Sequence, residues 1–398
     1  MKKKTIFITS IISAVIVFSL TTVFYLSYPG SLLFFRVYDK VKDSNLTNYV
    51  ISDKLIEDNF TGNYSKNAAW YMAMHSYVNS LDDAYSAYMS ANEYESLTSN
   101  LSGSYQGIGI TVNAVDGRIY IKDVKESYPA DKAGIMPGDY LHKINGEEYN
   151  ASSLAEAVNK IKAVRVGETV EITVLRGNEE IVFDIKIETI DMEYVRGEML
   201  DNSIAYIRID SFGKTIGDDV GKLLEKFKDM KGLIVDVRSN PGGSLDAAVE
   251  VTDHFLGEGD ILTVRDKSDN EDVYVALEGS VGVPVCVLID EESASASEVF
   301  AGALKDHGKA TLVGQKTYGK GVVQSIYPLA YGEALRITTA RYYTPSGECI
   351  DGVGIYPDIE VSLPDGVAFA DLEDAPHNDT QLAAALEAVK SSVENLLN

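Results

Sequence analysis

The sequence predicts a multidomain α/β protein with an N-terminal transmembrane anchor, a small α+β module and a larger α/β core. Three observations carry that expectation. An uncharged stretch of 24 residues, Thr5 to Tyr28, follows Lys2, Lys3 and Lys4. Short β-type runs punctuated by glycine fill residues 103–188. Beyond about residue 190, apolar strands alternate with amphipathic helices. With 398 residues the chain is too long for one ordinary core, and it carries no internal repeat.

Taken in order, residues 1–4 form a cytoplasmic tip and residues 5–28 the anchor. The anchor is long enough to cross a hydrocarbon core of roughly 30 Å as a helix. No clear A-x-A site follows it, which favours an uncleaved anchor over a removed signal peptide. The lysines stay inside, so everything after Gly30 is expected on the extracytoplasmic side of the cell membrane. Residues 29–102 read as a helical N-terminal region, with helices at Val50–Phe60 and Ala68–Ser80.

Residues 103–188 hold the small module. Strands are expected at Ile108–Val112, Arg118–Val124, Tyr140–Ile144, Val170–Arg176 and Ile181–Ile187, with a helix at Ser153–Lys162. Residues 189–362 hold the core. Strands are expected at Ile204–Ile209, Leu233–Val237, Val283–Ile289, Ala310–Val313, Val322–Tyr327 and Leu335–Tyr343, and helices at Leu245–Leu256 and Ala296–Leu304. Residues 363–398 form a tail ending in an amphipathic helix, Thr380–Leu397.

Composition excludes some functions. Lys and Arg number 35 against 60 Asp and Glu, a net charge of −25. A surface so acidic repels phosphate backbones, so no nucleic acid is expected as a partner. Cys286 and Cys349 lack CxxC spacing, and the five histidines form no HExxH pattern, so no metal or other cofactor is expected. A disulfide between the two cysteines stays open at this point.

In the small module, Tyr105-Gln106-Gly107-Ile108-Gly109-Ile110 is a glycine-punctuated loop leading into a strand. Such a loop presents free N–H groups that can hold a carboxylate, and the adjoining strand edge can take up an extended peptide. Ser127-Tyr128-Pro129-Ala130-Asp131-Lys132-Ala133-Gly134-Ile135 and Pro137-Gly138-Asp139-Tyr140-Leu141-His142-Lys143-Ile144-Asn145-Gly146 follow it. Together these segments closely resemble a PDZ domain. That resemblance makes Tyr105 to Ile110 the peptide-binding residues.

Three segments of the core carry chemistry. In the first, Ser295 joins a buried-type strand to an amphipathic helix, where the helix dipole favours developing negative charge. Taken alone it reads as a helix cap. In the second, Lys320 lies between Gly319 and Gly321, and burial there would lower its pKa until the neutral amine takes a serine proton. Taken alone it reads as a surface charge. The third, Arg238-Ser239-Asn240-Pro241-Gly242-Gly243, ends a strand in a loop whose amides can face an oxyanion. Its plain reading is a Pro-Gly turn.

In that order, NPGG, SASASE and TYGKGVVQ resemble the C-terminal processing peptidases, or tail-specific proteases. Thr339 to Gly347 and Gly352 to Asp358 fit the same family. The resemblance covers roughly residues 60–362. It implies a PDZ-like module joined to a Ser-Lys peptidase core of the ClpP/crotonase-like class. It makes Ser295 the nucleophile, Lys320 the general base and Gln324 the residue that positions the lysine. The oxyanion hole is then the amide of Ala296 with that of Gly242 or Gly243. Implied partners are protein or peptide substrates with free C-termini. The helical ends leave a homodimer open. The family further implies regulation through the PDZ module, with the Leu175-Arg176-Gly177 corner expected against the catalytic core.

Other patterns fit less well. Gly314 to Lys320 reads G-x-x-x-x-G-K, but Gly321 and a strand follow where a P-loop needs Ser or Thr and a helix. Ser211-Phe212-Gly213-Lys214 and Ser268-Asp269-Asn270 imitate the penicillin-binding order, but no K-T-G follows. The alternative from a different class is a non-catalytic PDZ scaffold that binds protein C-termini.

Overall fold

The computed structural model describes residues 44–200, 203–277, 279–373 and 376–397. The expected anchor, residues 5–28, lies outside the described residues. Among the described residues, no helix is long and apolar enough to cross a membrane. The chain divides into two units at Trp70/Tyr71. The first contains helix Ser44–Asn59 and the start of helix Lys66–Asn79. Within it, Tyr49 and Trp70 meet edge to face with ring centroids 5.3 Å apart. Val50, Ile51, Leu55, Ile56 and Phe60 are exposed.

In the second unit, an antiparallel sheet builds the small module from Ile110–Val115, Arg118–Val124, Tyr140–Ile144, Thr169–Arg176 and Glu179–Lys186. Helix Leu154–Lys162 accompanies it, and Ile119, Ile121, Leu141, Ile144, Ile172 and Val174 form its core. Strands Ser104–Gly107 and Glu188–Asp191 pair antiparallel where the chain enters and leaves. Arg176 turns inward. Its guanidinium donates to both oxygens of Asp139, each at 2.8 Å, and to Gly134 O. Those contacts lie within its own module, so they do not supply the expected contact with the catalytic core.

The core holds a sheet ordered Val195–Met199, Ile204–Ile209, Gly232–Asp236, Val285–Ile289, Ala310–Gly314, Ile359–Glu360. The first pair is antiparallel and the rest are parallel. Alternation explains the burial of both faces. Leu233, Val235, Val287 and Ile289 join Phe255 and Phe300 on one side. Ile234, Cys286, Leu288 and Val313 meet Ala385 and Val389 of helix Thr380–Leu397 on the other. Parallel strands covered on both faces read as near-continuous apolar runs, as residues 233–235 and Val285–Ile289 do, while the buried charges Arg208 and Asp236 pair with each other. Cys286 and Cys349 are free thiols, which answers the disulfide left open above.

A second sheet flanks the core. It orders Ala87–Met89, Ala334–Tyr343, Gly259–Asp266 and Glu271–Ala276, with Val322–Pro328 also paired to Ala334–Tyr343. It brings the segment after Lys320 beside a strand drawn from the N-terminal region. The chain turns sharply at the end of strand Val285–Ile289 and enters helix Ala296–Asp306 through Ser295.

Candidate active site

Ser295 is the N-cap of helix Ala296–Asp306, with φ 54° and ψ −114°. A non-glycine residue in that region costs about 1–3 kcal/mol and persists only when its surroundings hold it. The Ser295 carbonyl starts the helix ladder, accepting from the N–H groups of Glu298 and Val299, and two further bonds hold this residue. Its N–H donates to Glu298 Oε2 at 2.9 Å, and its carbonyl accepts from the Tyr342 hydroxyl at 3.1 Å.

Glu298 also fixes the lysine segment. Its carboxylate accepts from Lys320 N–H at 2.9 Å, Gly319 N–H at 2.8 Å and the Thr317 hydroxyl at 2.6 Å. It is fully buried, and burial pushes its carboxyl above the usual range while these donors pull it back down. The Tyr342 hydroxyl donates to the Lys320 carbonyl as well as to that of Ser295. Two buried side chains thus tie the Ser295 and Lys320 backbones into one frame. Gly321 allows the lysine segment its close approach: a Cβ there would lie 2.4 Å from Asp351 N.

Lys320 Nζ donates to Gln324 Oε1 at 3.2 Å. Gln324 Nε2 in turn donates to the Tyr85 carbonyl. Burial lowers the Lys320 pKa from the ordinary 10.5, and the positive charge of Arg336 adds to the effect; Glu298 and Asp83 oppose it. No hydrogen bond joins Lys320 Nζ to Ser295 Oγ among the described residues. Such contacts are often open in unliganded sites and tighten with substrate.

The loop Arg238–Gly243 comes up against the serine. Gly242 has φ 103°, and a Cβ on it would lie 2.8 Å from Ala294 O and 2.9 Å from both Ala296 N and Ser295 Cβ. The Gly242 N–H is occupied, donating to Asn240 Oδ1 at 2.9 Å. The amides of Gly243 and Ala296 have no acceptor among the described residues. Of the two glycines left open by sequence, Gly243 is therefore the one with a free donor. Asn240 fixes the loop further, its Nδ2 donating to Ile209 O and its carbonyl accepting from Ser297 Oγ.

The PDZ-like groove is a separate cavity of about 460 Å³. Tyr105, Gln106, Gly107, Ile108, Gly109 and Ile110 all line it, opposite Val158 and Ile161 of helix Leu154–Lys162. Ser96, Ser99 and Asn100, from helix Ala91–Ser102, also line it. Gln106 Nε2 donates to Lys162 O at 2.9 Å, bracing the loop against the helix.

The peptidase family S41 pattern matches residues 203–361, and the PDZ domain pattern matches residues 106–187. A carboxy-terminal-processing protease of Bartonella bacilliformis is 37% identical over 295 residues, spanning 71% of this chain and 67% of that one. CtpB of Bacillus subtilis, a carboxy-terminal processing protease, is 32% identical over 336 residues, spanning 82% and 70% respectively. This chain belongs to the carboxy-terminal processing proteases of peptidase family S41. CtpA of Bacillus subtilis is 36% identical over 293 residues, spanning 72% of this protease and 63% of the relative. A solved structure assigned to the S41 proteases, from Bacteroides fragilis, shares the fold at 18% identity and a TM-score of 0.50, over 85% of this chain and 96% of that one. As a serine protease of this family, the chain is not the non-catalytic scaffold weighed above.

Sequence reasoning passed over three residues of the site. Glu298 carried a signal, because Ser295-x-x-Glu298 is the capping-box pattern at a helix start. Tyr342 lies on an alternating strand and gave only the ordinary signal of a buried position. Tyr85 gave none, since it lies 239 residues from Gln324.

Proposed function

We propose that this protease is a membrane-anchored, extracytoplasmic serine endopeptidase that cleaves proteins near their C-termini with a Ser295–Lys320 dyad. The observation that carries the reading is the shared frame of Glu298 and Tyr342. It ties a strained helix-capping serine to a half-buried lysine, beside two amides without an acceptor among the described residues. Ser295 Oγ attacks the scissile carbonyl carbon, and its proton passes to neutral Lys320 Nζ. The oxygen of the tetrahedral intermediate takes hydrogen bonds from the amides of Gly243 and Ala296. As the C–N bond breaks, Lys320 gives that proton to the departing amine. Lys320 then takes a proton from water, whose oxygen attacks the acyl carbon, and returns that proton to Ser295 Oγ as the acyl C–O bond breaks, which releases the new carboxyl end and restores the serine and the neutral lysine. Gln324 keeps the lysine on the line between these partners.

The groove from Tyr105 to Ile110 receives the C-terminal residues of the substrate as an added strand. Support for this comes from the uncovered amides of Ile108 and Gly109 among the described residues. The anchor at residues 5–28 rests on the lysines before an uncharged run. Its test is whether the protein stays in the membrane fraction yet is digested by protease added outside intact cells. A homodimer through the helical ends is read out by sedimentation.

Ser295→Ala and Lys320→Ala are each expected to lower cleavage of casein at least 1,000-fold, by about the cost of losing a member of such a unit. Circular dichroism should match the parent. Retained turnover in either variant contradicts the dyad. Because Lys320 accepts a proton only when neutral, activity should rise with pH through a midpoint below the ordinary lysine value of 10.5.

A further inference from the structure

Lys320 has a neighbour that the steps above do not use. The Tyr85 ring centroid lies 5.1 Å from Lys320 Nζ. That is within the range over which a ring face attracts a cation. The Tyr85 carbonyl accepts from Gln324 Nε2 and, at 3.1 Å, from Arg336 Nε. One residue therefore touches the lysine with its ring and holds the amide that positions the lysine with its carbonyl.

Tyr85 is itself well fixed. Its N–H donates to Asp83 Oδ1 at 3.2 Å, and the Ser86 hydroxyl donates to Asp83 Oδ2. Ser86 Oγ accepts from Thr338 N–H at 3.1 Å. The next residues, Ala87–Met89, pair with Arg336, Leu335 and Ala334. The backbone that carries the ring is thus fixed relative to the strand beside Lys320.

We propose that Tyr85 is a positioning residue whose ring holds Lys320 in its ammonium form in the resting site and sets the pH at which the base becomes available. The inference rests on the reading of Lys320 as the general base. Its physics lies in the selectivity of the ring face, which attracts an ammonium far more than a neutral amine. The ring thus opposes burial and Arg336, which favour the neutral amine, and acts with Glu298 and Asp83, which favour the charged one. The phenol stays neutral across the working range, because burial, then Tyr318, pushes it up to about 12. No charge on Tyr85 takes part; the ring quadrupole does.

That distinction selects the experiment. Tyr85 is replaced in the full chain by phenylalanine and then by mono-, di- and trifluorinated phenylalanine, which weaken the quadrupole at nearly constant volume. The acid limb of kcat/KM for casein should stay near the parent in Tyr85→Phe. It should then move stepwise to lower pH along the series, by about one pH unit in all. Tyr85→Leu should move it as far. An acid limb that does not move along the series overturns the proposal. If turnover is too low to measure, a ¹³C NMR titration of Lys320 in the Ser295→Ala background reads the same shift without catalysis. An unmoved lysine there overturns the proposal equally. Lys320→Ala keeps the two readings apart: retained cleavage removes the base assignment, whereas the NMR titration judges the Tyr85–Lys320 link by itself.

Discussion

Glu298 is a buried carboxylate surrounded by donors. It takes N–H bonds from Ser295, Gly319 and Lys320 and an O–H bond from Thr317. An ionised carboxylate accepts all four; a carboxamide cannot, because its NH₂ would face N–H or O–H donors. Glu298→Gln keeps the size of the side chain and should still lose stability, at about 1–3 kcal/mol for each buried donor left unmatched. It should lower kcat at least 100-fold, because the serine and lysine segments lose their common anchor. Thr317→Val removes one donor and leaves the carboxylate, so its loss should be smaller than that of Glu298→Gln. Urea unfolding and casein kinetics on the two variants check this. Equal losses would mean that Glu298 acts as a packing group only.

At the scale of elements, the loop Arg238–Gly243 and the helix start are complementary surfaces that meet at Gly242. Its φ of 103° suits glycine, and the space a Cβ would need is filled by Ala294 O, Ala296 N and Ser295 Cβ. Gly242→Ala therefore has to push the loop away from the serine. Activity should fall by about 100- to 1,000-fold, the usual cost of one lost oxyanion donor. Gly138→Ala is the control: its φ is 97°, but a Cβ would meet nothing within 4 Å. It should pay only backbone strain and keep turnover. The contrast also marks what could be read ahead of the structure. Arg118–Val124, Ile204–Ile209 and Leu245–Leu256 stand where their periodicity puts them, because each buries one clear face or two. Helix Ile216–Lys226 and strands Gly259–Asp266 and Glu271–Ala276 went unread although their patterns are ordinary. Ala87–Met89 is different in kind. It is too short to show a period, and it becomes a strand only because Ala334–Arg336 offers it a ladder. Ser295 and Lys320 could be named from motif order, but the placement of Tyr85 depends on that long-range pairing.

At the scale of the whole molecule, one ionic cluster joins the C-terminal segment to the strand that feeds the loop Arg238–Gly243. Arg238, 1% exposed, donates to Asp236 Oδ2 at 2.6 Å and to Asp379 Oδ2 at 2.8 Å. Arg208 donates to Asp236 Oδ1 at 2.9 Å. Burial opposes ionisation of Asp236, but Arg238 and Arg208 outweigh it and hold the carboxyl below its usual range. An acid whose folded pKa is depressed stabilises the fold above its unfolded value of about 3.9 and loses that contribution as pH falls through the folded value. Arg238→Met reverses the balance by leaving Asp236 and Asp379 short of a partner. Breaking such a buried pair costs about 3–5 kcal/mol at pH 7. With Arg238 gone, Arg208 alone opposes burial at Asp236, so its pKa rises and the carboxyl takes up a proton at a higher pH than in the parent. The deficit of the variant should therefore shrink between pH 7 and pH 4, while the parent holds its stability until the solvent is more acidic still. Urea denaturation at the two pH values measures both. A deficit below about 1 kcal/mol, or one equally large at both pH values, would mean that the cluster does not hold the C-terminal segment to the catalytic core through charge.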